Sequence, residues 1–156
     1  MMINRTGPRP ATSRSVRDLV PALLAGIGAL SLVTVMFLPW YRIGDTGRVE
    51  SAWQAYTYVL PLLLAIVLIG TLLGVAKAAG RSIGIGTAAA VAAFGFLVTI
   101  IVVVHLFIAR PGGNAGTAVA FGGYVGLAAI NAVKGGAIFM IASARSRRRR
   151  SVTLAS

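Results

Sequence analysis

The chain has 156 residues, of which 57% are hydrophobic and 12% are charged, and that much apolar surface cannot be hidden in the core of one soluble domain of this size. It contains no cysteine, which excludes disulfides, thiolate metal sites and cysteine nucleophiles. The formal net charge of +12 has two explanations, a nucleic-acid partner or the basic collar of a membrane protein, and the positions of the basic residues decide between them.

Four long apolar runs predict four transmembrane helices, at residues 19–38, 55–76, 83–109 and 118–142. Each run is near or above the roughly 20 residues that a helix needs to cross about 30 Å of hydrocarbon, and helices satisfy their own backbone in lipid. The first run ends in Leu38-Pro39-Trp40-Tyr41 instead of a small-residue cleavage site, which favours an uncleaved signal anchor. The predicted fold is therefore all-α: a polytopic membrane protein whose four helices form two hairpins.

The lysines and arginines outside the spans predict the orientation of the helices. Eleven of them lie before the first helix, between the second and third helices or after the fourth, and three lie in the other two connections. The positive-inside rule therefore places both termini in the cytoplasm. The predicted organisation is a disordered basic tail at 1–18, a four-helix membrane domain at 19–142 and a basic tail at 143–156.

A cluster of arginines directly follows the fourth helix: Arg145, Arg147, Arg148, Arg149 and Arg150. Such clusters attract anionic lipids by about 1 kcal/mol per residue near the surface, so contact with the inner leaflet is predicted here. Nucleic-acid binding is not predicted, because the aromatic residues that could stack on bases lie on the opposite side of the membrane.

All the Trp and Tyr residues fall at the predicted outer boundary and are interpreted as an aromatic belt: Trp40, Tyr41, Trp53, Tyr56, Tyr58 and Tyr124. In the same region, Ser51 followed by Gln54 predicts a capping box for the second transmembrane helix. Gly44 and Gly47 are typical of turns in the first external connection.

Two carboxylates in this first external connection, Asp45 and Glu50, have two interpretations. Paired carboxylates perform acid–base catalysis in many hydrolases, but here they also balance Arg42 and Arg48 in a solvated loop. The second interpretation is favoured, because no His, Ser or metal-ligand pattern accompanies them.

Lys134 is the one charged residue well inside an apolar run, and intramembrane charges indicate functional sites by default. It lies about 12 Å from an inner boundary near Ala142, so snorkelling of its long stem to the headgroups competes with pairing to a neighbouring helix, a partner protein or a lipid. Asn131 lies one helical turn away on the same side.

A stripe of mostly small residues recurs along the fourth helix at spacings of 4, 3, 4 and 3 and predicts a close helix–helix contact: Gly122, Gly126, Ala129, Val133 and Gly136. At about 100° per residue, Lys134 and Asn131 project away from this stripe, toward lipid or a partner. Gly70 and Gly74 form a GxxxG pattern on the second helix, where a further close contact is expected.

His105, near the outer end of the third helix, has no carboxylate or second His beside it in the sequence. It is interpreted as an interfacial hydrogen-bonding residue and a candidate contact for a partner or lipid, ahead of a proton relay or a metal ligand. No carboxylate lies within any of the four spans, which argues against an ion-driven exporter. The glycine-rich connection at 110–117 lacks a following Lys-Ser or Lys-Thr, so a nucleotide site is not predicted.

The chain resembles a group of small four-span membrane proteins of high-GC Gram-positive bacteria. The resemblance is carried by Leu38-Pro39-Trp40-Tyr41, by Ser51-Ala52-Trp53, and by Arg110-Pro111-Gly112-Gly113-Asn114 leading into Phe121-Gly122-Gly123-Tyr124-Val125-Gly126-Leu127. It implies the four-span layout over residues 19–142 and implies no activity.

The function expected from these patterns is that of a non-enzymatic accessory or scaffold protein of the cell membrane, docked on a larger membrane complex such as envelope or lipid-import machinery. The alternative is a self-associating small channel or lipid-handling transporter. No catalytic residue, cofactor or metal is predicted. An intramembrane enzyme ranks third, for want of a nucleophile–base pair or a metal set.

Overall fold

The computed structural model describes residues 16–44, 47–110 and 116–153, and most of them are helical. Along the chain these residues form α1 (Val16–Val35), β1 (Pro39–Ile43), β2 (Arg48–Ser51), α2 (Ala52–Ala55), α3 (Leu60–Ala78), α4 (Ile85–Phe107), β3 (Thr117–Val119) and α5 (Phe121–Thr153). The three candidate spans that are long and apolar enough to cross a membrane are α3, α4 and the Phe121–Ser146 part of α5. A fourth apolar helix, Leu19–Val35 within α1, is shorter. The long apolar helices indicate a membrane protein, as the composition predicted.

The end of the first helix and the start of the second long helix differ from the predictions, and a proline lies at or near each of them. The first helix ends at Val35, whose carbonyl cannot accept from Pro39 because proline has no N–H; it accepts from the Leu38 N–H at 3.0 Å and from the Trp40 indole Nε1 at 2.8 Å. The second long helix begins at Leu60 with Pro61 in its first turn, where a missing N–H costs nothing.

The predicted capping box forms, but on a different helix. The Ser51 backbone N–H donates to Gln54 Oε1 at 3.1 Å, and this closes the single-turn helix α2 instead of the long helix that follows. The prediction that Ser51 starts the second transmembrane helix was therefore wrong.

Helix α5 continues well beyond its predicted end near Ala142. It runs unbroken to Thr153, so the basic cluster is an extension of a long helix. Arginine and serine tolerate helix far better than glycine or proline do, and neither of those follows Gly136 within α5. The predicted disordered tail at the other end of the chain lies outside the described residues up to position 15.

The helices pack as two pairs, α1 with α3 and α4 with α5, and the pairs join through α1 and α5. Helices α3 and α4 touch each other little. Two clusters of buried side chains fill the interior, one from the middle of the bundle to the end carrying the strands and one toward the opposite end.

A small three-stranded sheet, which the all-α prediction did not include, covers one end of the bundle in the order β2-β1-β3. Strand β1 pairs antiparallel with β2 through a turn in which Gly44 and Gly47 have positive φ. It also pairs antiparallel with β3, with Tyr41 opposite Val119. The sheet therefore joins the connection between α1 and α3 to the connection between α4 and α5. We call the three strands and the side chain of Tyr56 beneath them the outer cap, after the orientation that the sequence predicts.

Candidate functional site

Three aromatic residues form the centre of the outer cap: Trp40, Tyr41 and Tyr56, all of them buried. Consecutive residues of a strand normally point to opposite faces, but the pairing register shifts between Pro39 and Tyr41, which leaves Trp40 unpaired in a bulge. This shift allows Trp40 and Tyr41 to be buried together. The Trp40 ring packs edge-on against Tyr56, with ring centroids 5.2 Å apart.

The hydroxyl groups of the two tyrosines form a short chain that ends on helix α4. Tyr41 Oη donates to the carbonyl oxygen of His105 at 2.7 Å, and Tyr41 Oη and Tyr56 Oη are 2.7 Å apart. A carbonyl only accepts, so the single proton of Tyr41 is committed to His105 and Tyr56 must be the donor to Tyr41. Burial raises the pKa of both tyrosines above the ordinary value of 10.0, and both hydroxyls stay protonated at neutral pH.

Side chains of the cap and its borders satisfy carbonyl groups at the ends of two long helices. The Trp40 indole bonds to Val35 of α1, Tyr41 bonds to His105 of α4, and Arg110 Nε donates to the Leu106 carbonyl at 3.2 Å. The last carbonyls of a helix lack partners within it, and an unsatisfied carbonyl in a buried place is costly. Arg110 Nη1 also donates to the Thr117 carbonyl at 2.7 Å, which fastens β3 to α4.

The aromatic-belt prediction was wrong for three of its six residues. Trp40, Tyr41 and Tyr56 lie in the interior with their polar atoms bonded to protein, because the sheet folds over them. Trp53, Tyr58 and Tyr124 are exposed and can still occupy the membrane interface, so for these the belt remains a prediction.

The imidazole of His105 is half-buried and faces Tyr56, with ring centroids 5.7 Å apart. Its Nδ1 lies 2.9 Å from the Ile101 carbonyl and must be the protonated nitrogen in that bond, since the carbonyl only accepts. The predicted hydrogen-bonding role is therefore filled at Nδ1 by the Ile101 carbonyl of the same helix, and a contact of His105 with a partner or lipid stays a prediction.

Lys134 lies along the contact between α5 and α4. A side chain built on Gly95 would meet Lys134 Cβ at 3.1 Å, so the absence of a side chain at Gly95 lets the lysine stem pass. The ammonium lies over the Phe96 ring, with Nζ 4.2 Å from the centroid, and Phe96 is 50% exposed. Of the alternatives predicted for Lys134, contact with a neighbouring helix is what the structure shows: its stem packs on α4 at Gly95, and its ammonium lies over Phe96 of the same helix.

Asn131 is half-buried, and its Nδ2 donates to the Leu127 carbonyl of the same helix at 2.8 Å. The amide thus has an internal partner, as polar side chains in helices often do. Asn131 keeps its predicted position one turn from Lys134.

The small-residue stripe of α5 faces α1 and the cap. A side chain at Gly122 would collide with the backbone at Pro39, and one at Gly126 would collide with the Trp40 ring. One at Gly136 would meet the Ala25 nitrogen at 2.9 Å, and Ala129 is buried. The predicted close helix–helix contact is found at Gly136, where the partner is α1, whereas Gly122 and Gly126 lie close to strand β1 instead of a helix.

The GxxxG pattern of α3 also packs on α1. A side chain at Gly74 would meet Gly26 Cα at 3.1 Å, and one at Gly70 would meet Ala29 Cβ at 3.0 Å. The complementary small residues of α1 were missed at first, although Ala22, Ala25, Gly26 and Ala29 recur at close to helical spacing and are a readable signal.

The carboxylate of Glu50 lies 3.8 Å from Arg48, which is mostly exposed, so this is a surface ion pair of little energetic value. Asp45 and residues 111–115 lie outside the described residues. Within the part of the chain that is described, no three His, Cys, Asp or Glu side chains come together as a metal site would require.

No protein-family model and no curated protein matches the chain.

Proposed function

We propose that the chain crosses the membrane four times, with both termini in the cytoplasm. The outer cap supports this, because it gathers the connection between α1 and α3 and the connection between α4 and α5 at one end of the bundle. Helix α1 packs beside α3, and the end of α1 and the start of α3 both lie at the outer cap. If α3 crosses the membrane, α1 therefore crosses beside it, and the 20 residues of α1 are enough for a crossing. The excess of arginine at the opposite end assigns that end to the cytoplasm.

Single cysteines test this topology cleanly, since the chain has none of its own. We expect Arg48→Cys, in the exposed part of β2, to react with a membrane-impermeant maleimide added to intact cells. Ser146→Cys, exposed near the basic end of α5, should react only after permeabilisation. Labelling of Ser146→Cys in intact cells, or protection of Arg48→Cys, would contradict the proposed orientation.

The proposed function is that of a non-enzymatic accessory protein that docks on a larger membrane complex, of the kind found in envelope or lipid-import machinery. The observation that supports it is the Lys134 ammonium held over the half-exposed Phe96 ring. A cation at this depth is costly, and an aromatic ring offsets only about 0.5–2 kcal/mol of that cost. An acidic or strongly polar group on a partner helix would complete the site.

The docking face consists of Lys134, Phe96 and Asn131 on the outer side of α4 and α5. His105 is not part of this face, because its ring packs on Tyr56 beneath the cap. Polar side chains such as those of Lys134 and Asn131 bond between helices in membranes, and the exposed Phe96 ring adds a surface on which a partner helix can pack.

We expect Lys134→Leu to lower the recovery of co-purified membrane proteins at least tenfold, because a buried charge pair costs 2–5 kcal/mol or more when one partner is removed. The same change should leave thermal unfolding of the isolated chain unchanged or shift it upward, since it removes an unpaired charge from lipid. Lys77→Leu, in the last turn of α3, is the matched control for loss of one positive charge.

Quantitative mass spectrometry of tagged protein from native membranes in mild detergent provides the readout. Undiminished recovery of partners with Lys134→Leu would contradict the docking face. Recovery of a defined homo-oligomer with no other protein would contradict the accessory role and favour a self-associating channel or lipid-handling transporter.

A further inference from the structure

A groove of about 340 Å³ opens between α3 and α4 at the end of the bundle opposite the outer cap. It exists because α3 and α4 touch little and are joined here by a short connection in which Gly80 has a φ of 82°. Neither helix fills the space, and the groove is open along its length to the surroundings of the bundle.

The lining of this groove changes from apolar to polar along its length. Leu72, Leu73 and Val91 form its apolar part, and Arg81, Ser82 and Thr87 lie at the mouth. The apolar part follows α3 from Ile69 to Ala76, about 10 Å at 1.5 Å per residue, which matches the upper part of one acyl chain in a leaflet about 15 Å thick. No side chain caps the N-terminus of α4, which begins at this same mouth and adds a positive dipole to the Arg81 charge.

Two other grooves show that this combination is not a general property of the surface. A groove of about 430 Å³ between α1 and α5 and one of about 290 Å³ between α1 and α3 are lined by apolar side chains with a single hydroxyl each, Ser31 and Thr71. Among the residues whose side chains the structure describes, neither lining includes a charged residue. Lipid chains can cover all three grooves, but of these three only the groove at Arg81 has a positive charge that could bind an anion.

We propose that the groove between α3 and α4 binds one anionic phospholipid of the inner leaflet, with its phosphate at Arg81 and one acyl chain along Leu72 and Leu73. This inference rests on the proposed topology, which places Arg81 at the cytoplasmic face. Charge complementarity selects the headgroup, and the apolar part of the groove selects a lipid over a soluble phosphate. The described lining of the groove contains no residue of α5 and does not include Phe96 of the docking face.

Native mass spectrometry of the purified full-length chain tests the proposal, using mixed micelles of phosphatidylglycerol and phosphatidylcholine. We expect one retained phosphatidylglycerol per chain and no retained phosphatidylcholine. Arg81→Gln should weaken this retention about fivefold, as expected for loss of one cation near the membrane surface. Arg145→Gln, which removes an exposed arginine from the basic end of α5, is the matched control and should leave the retained lipid in place.

A second variant tests the acyl-chain part of the groove independently of charge. Ala76→Leu places a larger side chain in the groove and keeps the Arg81 charge, so it should also reduce retention, whereas a diffuse attraction between arginines and lipid would not respond. Equal retention by the wild type and both groove variants, or equal retention of the two lipids, would overturn the proposal. The assay contains no partner protein, so a negative result here leaves the accessory role standing, while inverted cysteine labelling would overturn the topology itself.

Discussion

Alanine at Gly126 should destabilise the chain by about 1–3 kcal/mol or more, the usual cost of overpacking a filled core. The methyl group would enter the space occupied by the six-membered ring of Trp40. Trp40 cannot retreat, because its indole nitrogen is bonded to Val35 and its ring packs on Tyr56. Thermal or denaturant unfolding in detergent would measure the loss.

Gly135 provides the matched control on the same helix, since a side chain there would meet no atom within 4 Å. Gly135→Ala should therefore be neutral or stabilising, by up to about 1 kcal/mol from helix propensity. In a Trp40→Leu background the penalty of Gly126→Ala should disappear, because the space of the indole ring is vacated. Equal effects of Gly126→Ala in the two backgrounds would show that the ring contact is not the cause.

Tyr41→Phe should cost about 2–4 kcal/mol, clearly more than Tyr56→Phe, which should cost about 1 kcal/mol. Loss of the Tyr41 hydroxyl removes the acceptor of Tyr56 and the donor to His105 at once, and both groups are enclosed by the cap. Loss of the Tyr56 hydroxyl leaves the bond from Tyr41 to His105 intact. The reverse order of the two effects would contradict the assigned donor direction.

The same pair predicts how stability depends on pH. Burial raises the pKa of Tyr41 and Tyr56, so the folded chain keeps protons that the unfolded chain releases above about pH 10. Because the unfolded state then binds fewer protons, the free energy of unfolding falls as pH rises through this range, by about 1.4 kcal/mol per pH unit for each tyrosine. The slope of unfolding free energy against pH should be shallower in Tyr56→Phe than in the wild type.

The long helices and the close contacts of the small residues could be predicted from the sequence, because both depend on local patterns. An apolar run of sufficient length has few conformations open to it in lipid, and the glycines at 122, 126 and 136 mark a close approach whether a helix or a strand makes it. The partner helix was not predictable, since a stripe does not specify what packs on it.

The outer cap was missed for two reasons. A hairpin signal is present in the sequence: two strand-like segments, one from Trp40 to Ile43 and one from Arg48, are joined by a turn between Gly44 and Gly47. Because these residues lie at the predicted membrane boundary, Trp40 and Tyr41 were interpreted as part of an aromatic belt instead. The pairing of β1 with β3 joins residues more than 70 positions apart, such as Tyr41 and Val119, and no local pattern shows it.

The position of Lys134 relative to Phe96 depends on how α4 and α5 are rotated against each other, which the helical period of either one does not determine. Gly95 was the relevant signal, because a residue without a side chain opposite a long lysine stem makes the approach possible. Such a signal becomes meaningful only when the two helices are known to be neighbours.

The pairing of β1 with β3 also sets an order of events during synthesis. Strands β1 and β2 and helix α3 leave the ribosome long before β3 and α5, so the edge of β1 that β3 will cover stays unpaired in the meantime. Likewise, the Trp40 ring cannot pack on Gly126, and the Tyr41 hydroxyl cannot bond to the His105 carbonyl, until α5 and α4 have been synthesised. The first helical pair therefore remains incomplete at its outer end until the second pair is inserted, and closure of the cap marks the completion of the bundle.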